Sequence, residues 1–147
     1  MTEHDFKKFP ELTNAQMDLH YWESPHKQIM EDFTAKVVKV TDGDTIRVEW
    51  TERDFNFPIR LLDIDAPEMN FDSGKRSQKW LEDLILGKEV DVIIEENQRV
   101  DKWGRLLGVV LFEGMNIGEL SMGESMSVAF GRSQEHAFIE NQEIAVS

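Results

Sequence analysis

The chain contains no cysteine, which excludes disulfides and thiolate metal sites together. Any metal must therefore be held by oxygen or histidine, and 29 acidic side chains stand against four histidines. No apolar run approaches the roughly 18–20 residues that cross a bilayer, so no membrane association is expected. The opening Met1-Thr2-Glu3-His4-Asp5 lacks the charged-then-apolar design of a signal peptide. The expected location is accordingly cytoplasmic, in a bacterial or phage-encoded protein. Internal repeats and low-complexity stretches are absent as well. Bases are scarce: 16 lysines and arginines leave a net charge of −13. That balance disfavours tight non-specific binding to nucleic acid, where phosphate neutralisation supplies most of the affinity. The scarcity is uneven, however. Twelve of the 16 cationic side chains fall between residues 34 and 113, so a local cationic site remains compatible with the global charge.

What is present fits one domain of 147 residues with a self-sufficient core. Residues 1–33 read as a helical extension and residues 34–147 as the domain proper. In the extension, Thr13 or Asn14 is placed to cap a turn carrying Met17, Leu19 and Tyr21. Ser24-Pro25 signals a second helix start leading into Ile29 and Met30. Alternating apolar residues then predict strands over 35–40 and 45–50, joined by Asp42-Gly43-Asp44, a tight turn in which Gly43 is expected at positive φ. A third strand is expected over 57–64. Helical periodicity follows over 73–86, with Trp80, Leu81, Leu84 and Ile85 on one face and Gly87 as the stop. Strands over 89–95 and 106–112, a short helix over 117–122, an extended piece over 127–130 and a helix over 133–145 with Phe138, Ile139 and Ile144 complete the chain. Five strands with a helix after the third predict an α+β fold, an OB-type five-stranded barrel with about three helices.

Charged residues cluster at strand ends and turns: Asp42 to Thr45, Arg60, Asp63 to Glu68, and Arg99 to Arg105. Hydrolysis of a phosphodiester needs a cation near the phosphate, a base for water and donors for the developing charge. Asp44 and Asp65 are hard oxygen donors suited to calcium or magnesium, Glu68 is a candidate base, and Arg60 and Arg105 are rigid bidentate donors matched to phosphate. Each cluster alone also has an ordinary explanation. Asp-Gly-Asp is common turn chemistry, Asp65 and Glu68 can be solvated at a strand exit, and residues 101–105 can be a polar turn closed by Gly104. Arg60, in an apolar strand, calls for an anionic partner such as Asp44 or Asp65. The conjunction is what carries information.

Thr41-Asp42-Gly43-Asp44-Thr45, then Arg60-Leu61-Leu62-Asp63-Ile64-Asp65-Ala66-Pro67-Glu68, then Asp101-Lys102-Trp103-Gly104-Arg105 resembles the staphylococcal nuclease (thermonuclease) family in order, spacing and intervening helix, over about residues 34–130. The resemblance implies a metal-dependent nuclease cutting DNA or RNA with little base specificity and leaving 3′-phosphates. It implies that Asp44, Asp65 and the Ala66 carbonyl bind Ca2+, with Asp42 and Thr45 standing behind them. Glu68 would activate the attacking water, and Arg60 and Arg105 would clamp the phosphate. Lys102 would contact a terminal phosphate, with Trp103 and Phe130 further substrate contacts. Free calcium is scarce in cytosol, so Mg2+ or Mn2+ are the other expected cations.

Several positions depart from the family pattern. Asp63 adds a carboxylate near the metal. Phe130 and Arg132 stand where secreted members carry tyrosines, Glu124 falls near a customary glycine, and the last helix is shortened. The extension, with Phe9, Leu12, Tyr21, Trp22, Ile29 and Met30, is expected either to cover the barrel or to dock a protein partner, with the chain itself a monomer. Two competing expectations are a non-catalytic module of the same fold that binds nucleic acid or peptide, and a nuclease active only within a larger assembly.

Overall fold

A computed structural model describes Phe6 and residues 9–130; the expectations for Arg132 and for a helix over 133–145 lie outside them. The elements run α1 (Asn14–His20), β1 (Phe33–Asp42), β2 (Thr45–Glu49), β3 (Phe57–Leu61), β4 (Ile64–Asp65), α2 (Asp72–Ile85), β5 (Glu89–Ile93), β6 (Leu106–Phe112), β7 (Met115–Asn116), α3 (Ile117–Gly123) and β8 (Val128–Ala129). Strands β1, β2 and β3 form an antiparallel meander, β5 pairs with the first half of β1, and β6 pairs with β5. A parallel pairing of β3 with β6 then closes a five-stranded barrel, the expected OB-type architecture. β1 serves two neighbours because it bends, with register shifts between Val37 and Lys39 and between Val40 and Asp42.

The alternation in β1, β2 and β3 sends Val37, Val40, Ile46, Val48, Phe57, Ile59 and Leu61 into the core, where Leu81 and Ile85 of α2 and Ile117 of α3 meet them. α2 follows the predicted periodicity, and Gly87 ends it at φ +78°. No helix among the described residues is long and apolar enough to cross a membrane.

Three local expectations need correction. Residues 57–64 are not one strand. The chain turns at Leu62 and Asp63, which sits at φ +71°, because Arg60 Nη1 donates to the carbonyls of both Leu61 and Ile64 and folds the backbone around itself. The freed Ile64–Asp65 segment pairs with β8 instead.

Second, Ser24-Pro25 starts no helix. Residues 24–32 run without regular structure because their polar groups are engaged elsewhere. Gln28 Oε1 accepts from the Leu12 N–H at 2.6 Å, Gln28 Nε2 donates to the Pro10 carbonyl at 2.9 Å, and the Ile29 carbonyl accepts from Arg99. In contrast, α1 starts where expected, with Thr13 and Gln16 forming a reciprocal capping box.

Third, Gly43 is not among the glycines at positive φ. It is small for a different reason: a Cβ there would lie 2.0 Å from Ser77 Oγ and 2.7 Å from the Ala66 Cβ. The β1–β2 turn is thus pressed directly against α2 and the strand exit.

Within residues 9–30, Leu12 and Ile29 are buried, whereas Leu19, Tyr21, Trp22 and Met30 are exposed. Glu11 is buried between Arg53 and Arg99. The Arg53 guanidinium also lies 4.7 Å from the Phe57 ring centroid and 5.5 Å from that of Phe55, cation–π contacts that partly offset its desolvation.

Candidate active site

The parallel register of β3 and β6 builds the site. It sets Arg60 opposite Leu107, two residues beyond Arg105, so motifs 45 positions apart in sequence face one another. On the other side of β3, Arg60 pairs with Thr45 of β2, which brings the Asp42–Asp44 turn to the same end of the barrel.

Asp44 is the hub of the inner part. Its Oδ2 accepts from the Ala66 N–H at 2.9 Å and faces Arg60 Nη2 at 3.3 Å, while its Oδ1 accepts from the Thr45 hydroxyl at 3.1 Å. Its carbonyl accepts from the Leu61 N–H at 2.8 Å, which ties the turn to β3. The same Arg60 Nη2 lies 2.6 Å from Asp65 Oδ1. Two carboxylates from different elements therefore converge on one cationic nitrogen. Behind them, Asp42 Oδ1 accepts from the Asp44 N–H at 3.0 Å. Burial, and then the neighbouring Asp44 carboxylate, push the Asp42 carboxyl up to about 7. One guanidinium thus serves three acids.

The outer part is the turn before β6. Asp101 organises it: Oδ1 accepts from the N–H groups of Trp103 and Arg105, each at 2.9 Å, and Oδ2 accepts from Arg105 Nε at 2.7 Å. Gly104 closes the turn at φ +80°. Lys102 Nζ and the Arg105 guanidinium lie 4.4 and 5.3 Å from the Trp103 ring centroid. Arg60 and Arg105 line one cleft of about 690 Å3 together with Asp63, Asp65, Lys102, Trp103 and Phe130. Phe130 is largely exposed, with its ring centroid 6.0 Å from the Arg60 guanidinium carbon.

The structure thus gathers Asp42, Asp44, Thr45, Arg60, Asp65 and Ala66 into one cluster, sets Phe130 beside Arg60, and brings Lys102, Trp103 and Arg105 of the turn before β6 to the same cleft. Glu68 is not joined to either group: it is exposed beyond Pro67 and does not line the cleft. Its backbone is nonetheless fixed. The Glu68 carbonyl accepts from the Phe71 N–H, and a Cβ at Gly74 would fall 1.9 Å from that oxygen. Asp63 faces solvent at the cleft edge, where its carbonyl accepts from the Phe130 N–H at 2.9 Å. Near the customary glycine, the left-handed residue is Ser125 at φ +62°, one position after Glu124.

Sequence reasoning left Asp101, Gly74 and Ser77 without a role. Asp101 followed by Gly104 carries an Asx-turn signature. Nothing local marks Gly74 or Ser77, whose hydroxyl donates to the distant Met126 carbonyl at 2.7 Å.

The donor chemistry suits a hard divalent cation. Asp44 and Asp65 offer carboxylate oxygens in one small space, and no cysteine competes. Among the described residues no three histidine or acidic side chains gather at metal-binding spacing. A cation here would therefore draw on two side chains and complete its shell with carbonyl oxygen and water.

Comparison with known proteins places this arrangement. The chain is 44% identical over 79 residues to a micrococcal nuclease of Shigella flexneri, covering 54% of this chain and 42% of that one. It is 33% identical over 116 residues to an uncharacterized endonuclease of Haemophilus influenzae, covering 78% and 63%. A further uncharacterized endonuclease, from Escherichia coli O157:H7, is 39% identical over 89 residues, covering 60% and 55%. The chain thus spans about half the length of these relatives. The family model described as staphylococcal nuclease homologue matches residues 58–143, more than half of the sequence, and on that match the chain belongs to the staphylococcal nuclease family.

Proposed function

We propose that this chain is a metal-dependent phosphodiesterase that cuts DNA or RNA with little base specificity. The observation that carries the proposal is the convergence of Arg60 and Arg105 on one cleft beside the paired carboxylates of Asp44 and Asp65. The relatives named nuclease and endonuclease support the same reading.

In this proposal the two guanidiniums grip the phosphate from opposite walls and favour the more highly charged transition state. Asp44, Asp65 and the Ala66 carbonyl hold the cation, calcium or else magnesium or manganese, with Asp42 and Thr45 holding Asp44 from behind. The bound ion would supply charge neutralisation at the phosphate. Glu68, exposed just beyond Pro67, takes the proton from the attacking water, and 3′-phosphates are left. Lys102, Trp103 and Phe130 receive the flanking nucleotide, the aromatic faces by stacking. The −13 charge is no obstacle at this range, because screening confines distant acids to within roughly 8–10 Å of themselves.

The test is incubation of the protein with single-stranded DNA at low salt in calcium, magnesium, manganese or EDTA, beside Glu68→Ala. Metal-dependent cutting that the variant loses is the expected result, and it identifies the cation. No cutting with any metal, from folded protein, would transfer the bet to a binding module, or to an enzyme whose partner supplies the DNA affinity that so acidic a chain lacks.

A further inference from the structure

The turn carrying Arg105 lies between a single 3-10 turn, Glu96–Gln98, and β6. On its amino-terminal side only that short turn flanks it, yet it must hold a guanidinium to a fraction of an ångström if Arg105 is to act on a phosphate. Its support comes from the amino-terminal segment.

Phe9 lies directly against Gly104: a Cβ on that glycine would sit 2.6 Å from the Phe9 Cδ1 and 2.8 Å from its Cβ. Three residues later the same segment captures Arg99, which is 2% exposed. Arg99 Nε donates to the Ile29 carbonyl at 2.8 Å, and Nη1 donates to the Leu12 carbonyl at 2.9 Å and to Asn14 Oδ1 at 3.2 Å. Asn14 Nδ2 in turn donates to the Glu96 carbonyl at 3.0 Å, gripping the 3-10 turn itself. The Arg99 carbonyl accepts from the Leu107 N–H at 2.7 Å, and Leu107 is the register partner of Arg60. Gln98 and Val100 line the cleft, but Arg99 itself does not.

We propose that residues 9–29 are a positioning element for the phosphate-gripping turn, acting through the Phe9–Gly104 contact and through Arg99, and not merely a cover on the barrel. Phe9 and Arg99 touch no substrate in this scheme; they set where Arg105 stands. The catalytic consequence rests on the proposed nuclease function, whereas the positional claim does not.

The test is Phe9→Ala in the full chain, with Arg99→Lys as a second variant whose ammonium cannot span the same carbonyls. Amide exchange read by NMR should quicken by about tenfold or more at Trp103 and Arg105, whose N–H groups bond to Asp101, while amides of β1 and β2 keep their rates. The Arg105 Nε–H resonance should move at the same time. Cleavage should slow by about 10- to 100-fold in kcat, and Phe9→Ala should add nothing to the loss already caused by Arg105→Ala.

Unchanged exchange at Trp103 and Arg105 in Phe9→Ala would overturn the proposal, as would a fully additive loss in the double variant. A wild-type chain that cuts nothing would replace the nuclease reading with a binding module or a partner-dependent enzyme and leave the exchange result to decide the positional claim. Should Arg99→Lys fail to fold, Phe9→Ala alone still decides.

Discussion

The cluster around Asp44 and Asp65 and the cluster around Glu11 are both built from arginine and carboxylate, and they differ in almost everything but composition. Around Asp44 and Asp65, Arg60 keeps 11% of its side chain exposed, and the acids keep 12% and 21%. Around Glu11, the side chains of Arg53 and Arg99 are sealed to 0% and 1%. In the sealed cluster, positive charge is in excess and backbone carbonyls absorb it: Lys27 accepts from Arg53, and Leu12 and Ile29 from Arg99. Burial there pushes the Glu11 carboxyl up against the pull of both guanidiniums and lowers Arg99. In the open cluster, negative charge is in excess, and a cleft adjoins it. The same residue types thus tie distant segments together in the sealed cluster, and in the open one leave carboxylates in surplus beside a cleft, where the proposed function would use them.

Substitutions should separate the two. The largest effect is expected on folding. Glu11→Ala strands two buried guanidiniums and should cost about 3–5 kcal/mol in urea unfolding; a loss under 1 kcal/mol would mean the sealed cluster contributes little. Arg105→Ala, at the open cleft, should leave the unfolding midpoint nearly unchanged while lowering kcat by about 100- to 1,000-fold. Wild-type turnover from that folded variant would remove Arg105 from the chemistry. Gly43→Ala falls between, because its new methyl meets Ser77 and Ala66. A stability loss of about 1–3 kcal/mol is expected, with weakened cation affinity by calorimetry; intact affinity would show that the turn can retreat without moving Asp44. Smallest is Thr13→Ala, which breaks the capping box for about 1 kcal/mol. Unaltered cleavage in this variant would separate the cap from the positional role of Phe9 and Arg99.

What could be read from sequence followed the range of the interaction. Strand alternation, the α2 face, the Thr13 cap and the Gly104 turn depend on neighbours within a few residues, and all appear in the fold. The barrel and the family were legible because three short motifs keep a fixed order. The local errors have two causes. Residues 24–32 and the need for Gly43 are decided by partners far along the chain, Arg99 and Ser77. The break at Asp63 is decided by a near neighbour, Arg60, whose side chain turns back onto the carbonyls of Leu61 and Ile64 where strand alternation expects it to point away. Arg60 stood out because it interrupts an apolar strand; Arg53 and Arg99 lie in polar stretches that carry no such sign of burial, and both are buried.

The parallel pairing of β3 with β6 has a kinetic meaning too. It joins Ile59 to Leu106 and Arg60 to Leu107, partners far more distant in sequence than those of any hairpin in the barrel, though nearer than the partners of β1 and β5. Loop closure of that length is entropically expensive and slow compared with the hairpin of β1 and β2. A chain part-way through folding therefore holds its hairpins and its central helix before it holds two arginines face to face. On the ribosome, nothing resembling the cleft can exist until the sixth strand has emerged, so the chemistry would switch on late and all at once.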